Sequence, residues 1–566
     1  MTQFDFGIAL VFSLIVFVLG LSFARGGDSV KSFFAAGGAV PWWISGLSLF
    51  MSFFSVGTFV VWGSIAYESG MVAVVIQTTM SIAGFLVGIF IAPMWNKTKA
   101  LTAAEFISQR LGTQTQKFYT YIFLFISLFS GGAFLYPVGK MIEVTVGIPL
   151  ETSIILLGAL IIIYTAVGGL WAVLVTDVLQ FVVLTAAVLI VVPLAFTEVG
   201  GISAFIEAAP DNFFALTNNE YYWLFMGAFG FYNMIFIGGS WAYVQRYTSV
   251  KNPKDAKKVG FLFGGLYLFA PLVWMLPPMI YRVMNPDTSH VDAEGAYLLV
   301  SQQVVPDGLM GLILGAMVFA TASSVNTTLN IAAGVFTNDI YKVIRKTTSN
   351  KETMLVARSA TVIFGLLAVC VALSVTTMGG IVEVAFSLAA MTGVALFLPP
   401  IWAMFSKYQT GKTVIIATCI SLTVNAFFKF VSPQLLDFSL ARSPEMLVGV
   451  LIPILCMLSF ELTNRGKQYV CEGYVHYQSI MQQKQNNDDE ISTGDMQANR
   501  YGQKIIAIGI LVIGLMIMVL GILASSGHDS FASTTISVIG GIIIACGLFV
   551  LPSNSRLKHR PIKSER

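Results

Sequence analysis

Residues 320 to 342 read ATASSVNTTLNIAAGVFTNDIYK and continue the apolar run GLMGLILGAMVF. Ser323, Ser324, Asn326, Thr327 and Thr328 therefore fall inside a stretch apolar enough for a membrane helix. No water is there to satisfy their oxygens. They must bond back to their own helix, cross to another, or face something that needs oxygen. On a helix, Ala320, Ser323, Ser324 and Thr327 share one face, because residues three, four and seven apart stack. Return of a hydroxyl to the i−4 carbonyl, or a bond to a neighbouring helix, accounts for a single such residue. It accounts less well for so dense a cluster. A small hard cation takes oxygen ligands. Two hydroxyls and a freed carbonyl supply part of its shell, and a second helix must supply the rest.

The second apolar segment offers such a partner. It reads PWWISGLSLFMSFFSVGTFVVWGSIAYESG, with Gly46, Gly57, Gly63 and several serines around its centre. A helix broken at mid-membrane exposes carbonyls, and secondary transporters place ions and substrates there. Close packing through small residues is the plainer alternative. A similar weak point, Gly238-Gly239-Ser240, lies in the seventh segment. Two interrupted spans, five spans apart, suggest two repeated halves.

These segments belong to a polytopic helical membrane protein. The 566 residues are 56% hydrophobic and 11% charged, against roughly 25% charged in soluble domains. About 15 runs are long enough to cross a bilayer core of about 30 Å. They lie near 4–24, 41–66, 70–93, 118–143, 149–167, 170–197, 222–245, 259–283, 307–336, 357–376, 379–404, 412–431, 443–462, 505–524 and 533–551. Alternate loops are basic: WNKTKA, QRYTSVKNPKDAKK, YKVIRKTTSNK, SKYQTGK and the tail RLKHRPIKSER. The loops between them are acidic or neutral. Lys and Arg collect on the cytoplasmic side, so the N-terminus is expected outside and the C-terminus inside, which an odd span count requires. The first run lacks a basic leader and a small-residue cleavage site, and reads as a retained span.

No G-x-x-x-x-G-K-S/T loop is present to hold a nucleotide. The five cysteines and four histidines show no disulfide or zinc spacing. No nucleophile–base pattern appears, which argues against an enzyme. Residues 463–503, containing QQKQNNDDEISTGD, have the composition of a mobile cytoplasmic loop.

Three motifs in this order carry a resemblance: LTAAEFISQRLG at 101–112, GGLWAVLVTDVLQ at 168–180, and SSVNTTLNIAAGVFTNDIYK. Together they resemble the sodium/solute symporter family, whose members carry sugars, proline or sialic acid, over roughly residues 1 to 460. The resemblance implies a leucine-transporter-type fold with two inverted five-helix repeats. On that reading the chain divides into an extra N-terminal helix (1–34), a first repeat (35–205), a second repeat (206–405), accessory helices (406–462), the cytoplasmic loop (463–503), and a C-terminal hairpin with a basic tail (504–566).

The family's main sodium site, carried over residue by residue, falls on the carbonyls of Met51, Phe54 and Ala320 and the hydroxyls of Ser323 and Ser324. A second sodium, as some members have, would fall on Asp177, Ser323, Asn326 and Thr327, with Asn and Thr where such members carry Ser. Otherwise Asp177 bonds to hydroxyls or backbone across the bundle. Pocket walls are expected from Phe53, Ser55, Thr58, Gln77 and Thr78, then Asn233, Phe236 and Tyr267. Asn233 stands where sugar-carrying members bind substrate, and Phe236 where they have a gating Tyr. The sugar-type N-x-S-x-E-Q is absent, Tyr267 replaces a Lys, and the proline-type Asp is missing from the first core helix, so neither sugar nor proline carries over. Glu383 is expected either in a wet extracellular mouth or beside a cationic or hydroxylated solute. Glu105 and Arg110 are expected to form a structural ion pair.

The leading expectation is a sodium-coupled symporter of the cell membrane, a bacterial inner membrane. It would import a small organic solute (sugar-like, amino acid or organic acid) by alternating access, with sodium, solute and lipid as its partners. Proton coupling through Asp177, a solute sensor and a channel are the alternatives. No output domain follows the last span, and nothing resembles a selectivity filter.

Overall fold

A computed structural model describes residues 2–21, 40–100, 102–164, 170–287, 292–341, 345, 350–467, 470–486, 493–524 and 530–551. Among these, ten helices are long and apolar enough to cross a membrane, from Met71–Lys97 to Ser530–Val550. Five shorter apolar helices join them: Gln3–Ile15, Trp42–Met51, Leu150–Ala159, Trp223–Gly239 and Leu309–Thr321. Each span expected from sequence contains one of these helices.

The caps follow local chemistry. Thr102 starts Ala103–Leu111 by accepting from the Glu105 amide at 3.1 Å, as its T-x-x-E spacing suggests. Asn252 caps Pro253–Met284 in the same way, with proline at the first helical position. Helix Pro253–Met284 crosses Met71–Lys97 very closely. A Cβ on Gly260 would lie 2.5 Å from the Cα of Gly88, so glycine sets the distance between the two helices.

Both interruptions are present. The second span runs as helix over Trp42–Met51, turns through Ser52 and Phe53, and resumes through Thr58–Trp62 into Gly63–Ser69. The seventh runs over Trp223–Gly239, turns at extended Ser240 (ψ 129°), and resumes as Trp241–Thr248. Their inner halves are stitched together. The Val40 amide donates to Ser249 O at 3.0 Å, Ser45 and Ser249 hydroxyls lie 3.3 Å apart, and Asn96 donates to the carbonyls of Tyr247 and Val250.

Two expectations change. Arg110 does not pair with Glu105. It is buried and donates to the carbonyls of Ala403 (3.2 Å), Ser406 (2.7 Å) and Gln409 (3.2 Å). Five residues apart on a helix, Glu105 and Arg110 do not stack. Inside the segment expected as a cytoplasmic loop, Glu472–Asn486 is helical. Its Tyr474 ring lies under the Arg110 guanidinium and its Tyr477 packs edge-on against Phe106.

Candidate functional site

The break in the second span is held open by one side chain. Thr58 Oγ1 accepts from the Ser55 amide at 3.2 Å and donates to Phe53 O at 2.7 Å. The amides of Ser52, Phe53 and Phe54 return to the carbonyls of Ser48, Leu49 and Phe50, and the Thr58 amide goes to Ser55 O. None of these bonds ends on the carbonyl of Met51 or Phe54. Meanwhile the Phe54 ring stacks on Trp274 at 3.8 Å, which anchors the turn in the aromatic core. Met51 and Phe54 are both buried. Two buried carbonyls without a backbone donor are a cost unless something else meets them.

The hydroxyl-rich segment is part of helix Leu309–Val335. Ala320 is buried, and Ser324 Oγ makes a long 3.4 Å bond to the Ala320 carbonyl. Thr328 returns to Ser324 O at 3.0 Å. The side chains of Ser323, Asn326 and Thr327 lie outside the described residues. The hydrogen bonds described for the two halves of the expected site stay within each half.

Asp177 is buried and engaged. Its Oδ2 accepts from Ser48 Oγ at 2.6 Å and lies 3.6 Å from the Arg246 guanidinium. Arg246 Nε donates to Ser48 Oγ at 3.2 Å and its other arm to Ala242 O at 2.7 Å. A bare carboxylate here would be costly in a bilayer, and the arginine offsets part of that cost. Ser48 belongs to the first broken span and Arg246 to the second, so this buried triad locks their inner halves together.

Beside the first break lies a cavity of ≈ 240 Å³. Of the residues expected to form a pocket, Phe53, Ser55, Thr58, Asn233, Phe236 and Tyr267 line it. Gln77 and Glu383 do not line it, and neither does Thr78. Gln77 is buried with its amide nitrogen unpaired, while Thr78 returns to Val74 O. Glu383 is held by Lys429 Nζ at 2.6 Å and Arg442 at 3.2 Å. It is therefore already paired, which leaves it little to offer a cationic solute.

The cavity also takes in residues that sequence reasoning passed over: Ser52, Trp62, Ser130, Tyr232, Tyr243 and Phe386. A signal for one of them was available. Phe229, Tyr232, Asn233 and Phe236 all line the cavity and follow helical spacing, so Asn233 and Phe236 implied Tyr232. Among the lining residues none is charged. The Asn233 amide donates to Thr79 Oγ1 at 3.3 Å, and the Tyr232, Tyr243 and Tyr267 hydroxyls have no hydrogen bond among the described residues. The walls thus combine aromatic faces with available polar groups, the composition of a small-molecule site.

Comparison with known proteins agrees with this architecture. The model of the sodium:solute symporter family matches residues 33–413. A sodium/glucose cotransporter of Vibrio parahaemolyticus is 28% identical over 443 residues, 71% of this chain and 80% of the relative. A sodium/sialic acid symporter of Aliivibrio fischeri is 28% identical over 370 residues, 62% of this chain and 73% of the relative. Against sheep sodium/glucose cotransporter 1 the identity is 29%, and the chain spans 60% of that relative's length. The solved structure of a sodium-coupled sialic acid symporter, substrate-bound and outward-open, aligns with TM-score 0.67 at 23% identity, over 81% of this chain and 98% of that one. That overlap shows the leucine-transporter-type fold.

Proposed function

The chain belongs to the sodium:solute symporter family, and from that premise we propose how it joins sodium to a solute. Sodium is held by the carbonyls of Met51, Phe54 and Ala320 with the hydroxyls of Ser323 and Ser324. The solute occupies the neighbouring cavity. The observation that carries this is the first break, whose turn leaves the Met51 and Phe54 carbonyls without backbone donors. Sodium joining them to the hydroxyl-rich helix would tie a broken element to a continuous one and shape the cavity wall formed by Phe53, Ser55 and Thr58.

The solute is small and carries no net charge at its site. A buried charge needs a partner, and no lining side chain provides one. Acceptors for the tyrosine hydroxyls and an apolar face for the aromatic rings complete its description. The protein works as a multi-pass importer of a bacterial inner membrane. A tenfold sodium gradient supplies about 1.4 kcal/mol and 100 mV adds about 2.3 kcal/mol per charge. One sodium then supports roughly 500-fold accumulation of a neutral solute. We favour sodium over a proton as the driving ion because Asp177 is already held between Ser48 and Arg246. A second sodium at Asp177, Asn326 and Thr327 would have to compete with that arginine.

Thermal stability of the purified protein in sodium, with potassium as control, tests the site, since a ligand of the folded state stabilises it in proportion to the logarithm of one plus its concentration over Kd. Sodium-specific stabilisation is expected. Replacing Ser323 and Ser324 by Ala should raise its midpoint by about tenfold or more, the change that about 1.4 kcal/mol produces. Equal stabilisation by sodium and potassium would overturn the assignment.

A further inference from the structure

The family match ends at residue 413, yet the helix Arg442–Gly466 beyond it touches a residue of the cavity wall. Phe386 lines the outer part of that cavity and packs against Trp62 at 5.5 Å, Phe225 at 5.6 Å and Phe229 at 5.5 Å. The Arg442 guanidinium lies 5.4 Å from the centre of the Phe386 ring and 5.6 Å from that of Tyr221. One of its arms pairs with Glu220 at 2.6 Å and also meets the Tyr221 hydroxyl. The other pairs with Glu383 at 3.2 Å. Lys429 supports Glu383 at 2.6 Å and reaches Glu445 at 3.4 Å.

Glu220 and Tyr221 lead into Trp223–Gly239, whereas Glu383 and Phe386 belong to Gly380–Leu388. Both helices wall the cavity, so their separation would widen it on that side. Arg442 belongs to neither and grips both, through two carboxylates and two ring faces. Its side chain is 20% exposed and that of Glu383 34%. Such part-buried pairs are screened more than fully buried ones and cost less to break, as a latch released in every cycle must. The planar guanidinium suits the task, because it can serve several acceptors and a ring face together.

We propose that Arg442 is a positioning residue that latches the outer end of the cavity shut, and that the accessory helix carrying it takes part in controlling solute access. This rests on reading the cavity as the solute site.

The test is sided access to the cavity. Ala389, which lines it, is changed to Cys in a full-length chain whose Cys370, Cys419, Cys456, Cys471 and Cys546 are replaced by Ser. A membrane-impermeant methanethiosulfonate reagent is applied to either face of reconstituted vesicles in potassium buffer. Arg442→Gln should speed labelling from the outer face about tenfold, equivalent to about 1.4 kcal/mol of lost closure, with no gain from the inner face. Arg442→Lys should show a smaller gain. Equal outer rates overturn the proposal, as does a gain from both faces, which marks general loosening. Should Arg442→Gln fail to assemble, Arg442→Lys and Glu220→Gln carry the same comparison, and wild-type rates in both overturn it. A cysteine reached from neither face in any variant overturns the latch and the cavity reading together. Outer labelling that is the same in every variant overturns the latch alone.

Discussion

The chain interrupts two membrane helices and treats their backbones differently. At Ser240 two carbonyls freed by the break find side-chain donors. Gly238 O accepts from Trp95 Nε1 at 2.7 Å, Ile237 O from the Tyr247 hydroxyl at 3.1 Å, and Phe236 O from the Ser240 amide at 3.0 Å. At Ser52–Ser55 the Thr58 hydroxyl satisfies Phe53 O, and among the described residues no such donor reaches Met51 O or Phe54 O. Glycine and serine weaken both helices alike. What separates them is the supply of side-chain donors, and on the site proposed above the break with fewer of them is half of a cation site. On that proposal, large donors such as Trp95 and Tyr247 near only one break leave the other to the ion.

Four substitutions sharpen or break this contrast, in descending order of effect. Asp177→Asn leaves Arg246 buried without its counter-charge and unties the inner halves of both breaks. It should cost about 3–5 kcal/mol, read as lost thermal stability in potassium, and part should return when Arg246→Gln is added. A loss appearing only in sodium would instead make Asp177 an ion ligand. Trp95→Phe deprives Gly238 O of its donor and should cost about 1–3 kcal/mol while leaving the sodium midpoint unchanged. A shifted midpoint would mean that the second break also serves the ion. Thr58→Val keeps the shape but removes the hydroxyl that orders the first break. Its signature should be the converse, a sodium midpoint raised about fivefold, which corresponds to about 1 kcal/mol, with a modest stability loss.

The smallest effect belongs to a site outside both breaks. Glu294, in the turn Ala293–Gly295, accepts from the Tyr136 hydroxyl at 2.9 Å and the Ile381 amide at 3.3 Å. Burial nevertheless raises its pKa above the usual carboxylate value. The folded state then holds the proton more tightly than the unfolded chain does. The contribution of Glu294 to stability is therefore full below the ordinary carboxylate pKa and falls as pH rises through the raised one. Melting temperature followed across that window should decline more in the wild type than in Glu294→Gln, with no change in sodium response. Parallel curves would remove Glu294 from the pH dependence.

Much of this was legible in the residues. Apolar run length located the spans, because a bilayer sets a minimum helix length. Gly57 and Gly238-Gly239-Ser240 marked both interruptions, and helical spacing grouped Ala320 with Ser324. The spacing of Asn233 and Phe236 also pointed along one cavity wall, although Tyr232 on the same face was passed over. Glu383 and Arg110 were harder. Their charge was visible, but their partners, Lys429 and Arg442 for the first and the carbonyls of Ala403, Ser406 and Gln409 for the second, lie far along the chain.

By itself, then, the sequence determined that this is a many-span helical protein, where its helices weaken, and which residues could offer oxygen to a cation. Those properties depend on hydropathy, periodicity and backbone propensity within a few residues of each other. Only the tertiary structure decided that Asp177 faces Arg246, that Trp95 satisfies one break while the other keeps two open carbonyls, and that an uncharged cavity lies beside it. Hydrogen bonds and ion pairs act over a few ångströms in space, and distance along the chain says nothing about which groups the fold will bring that close.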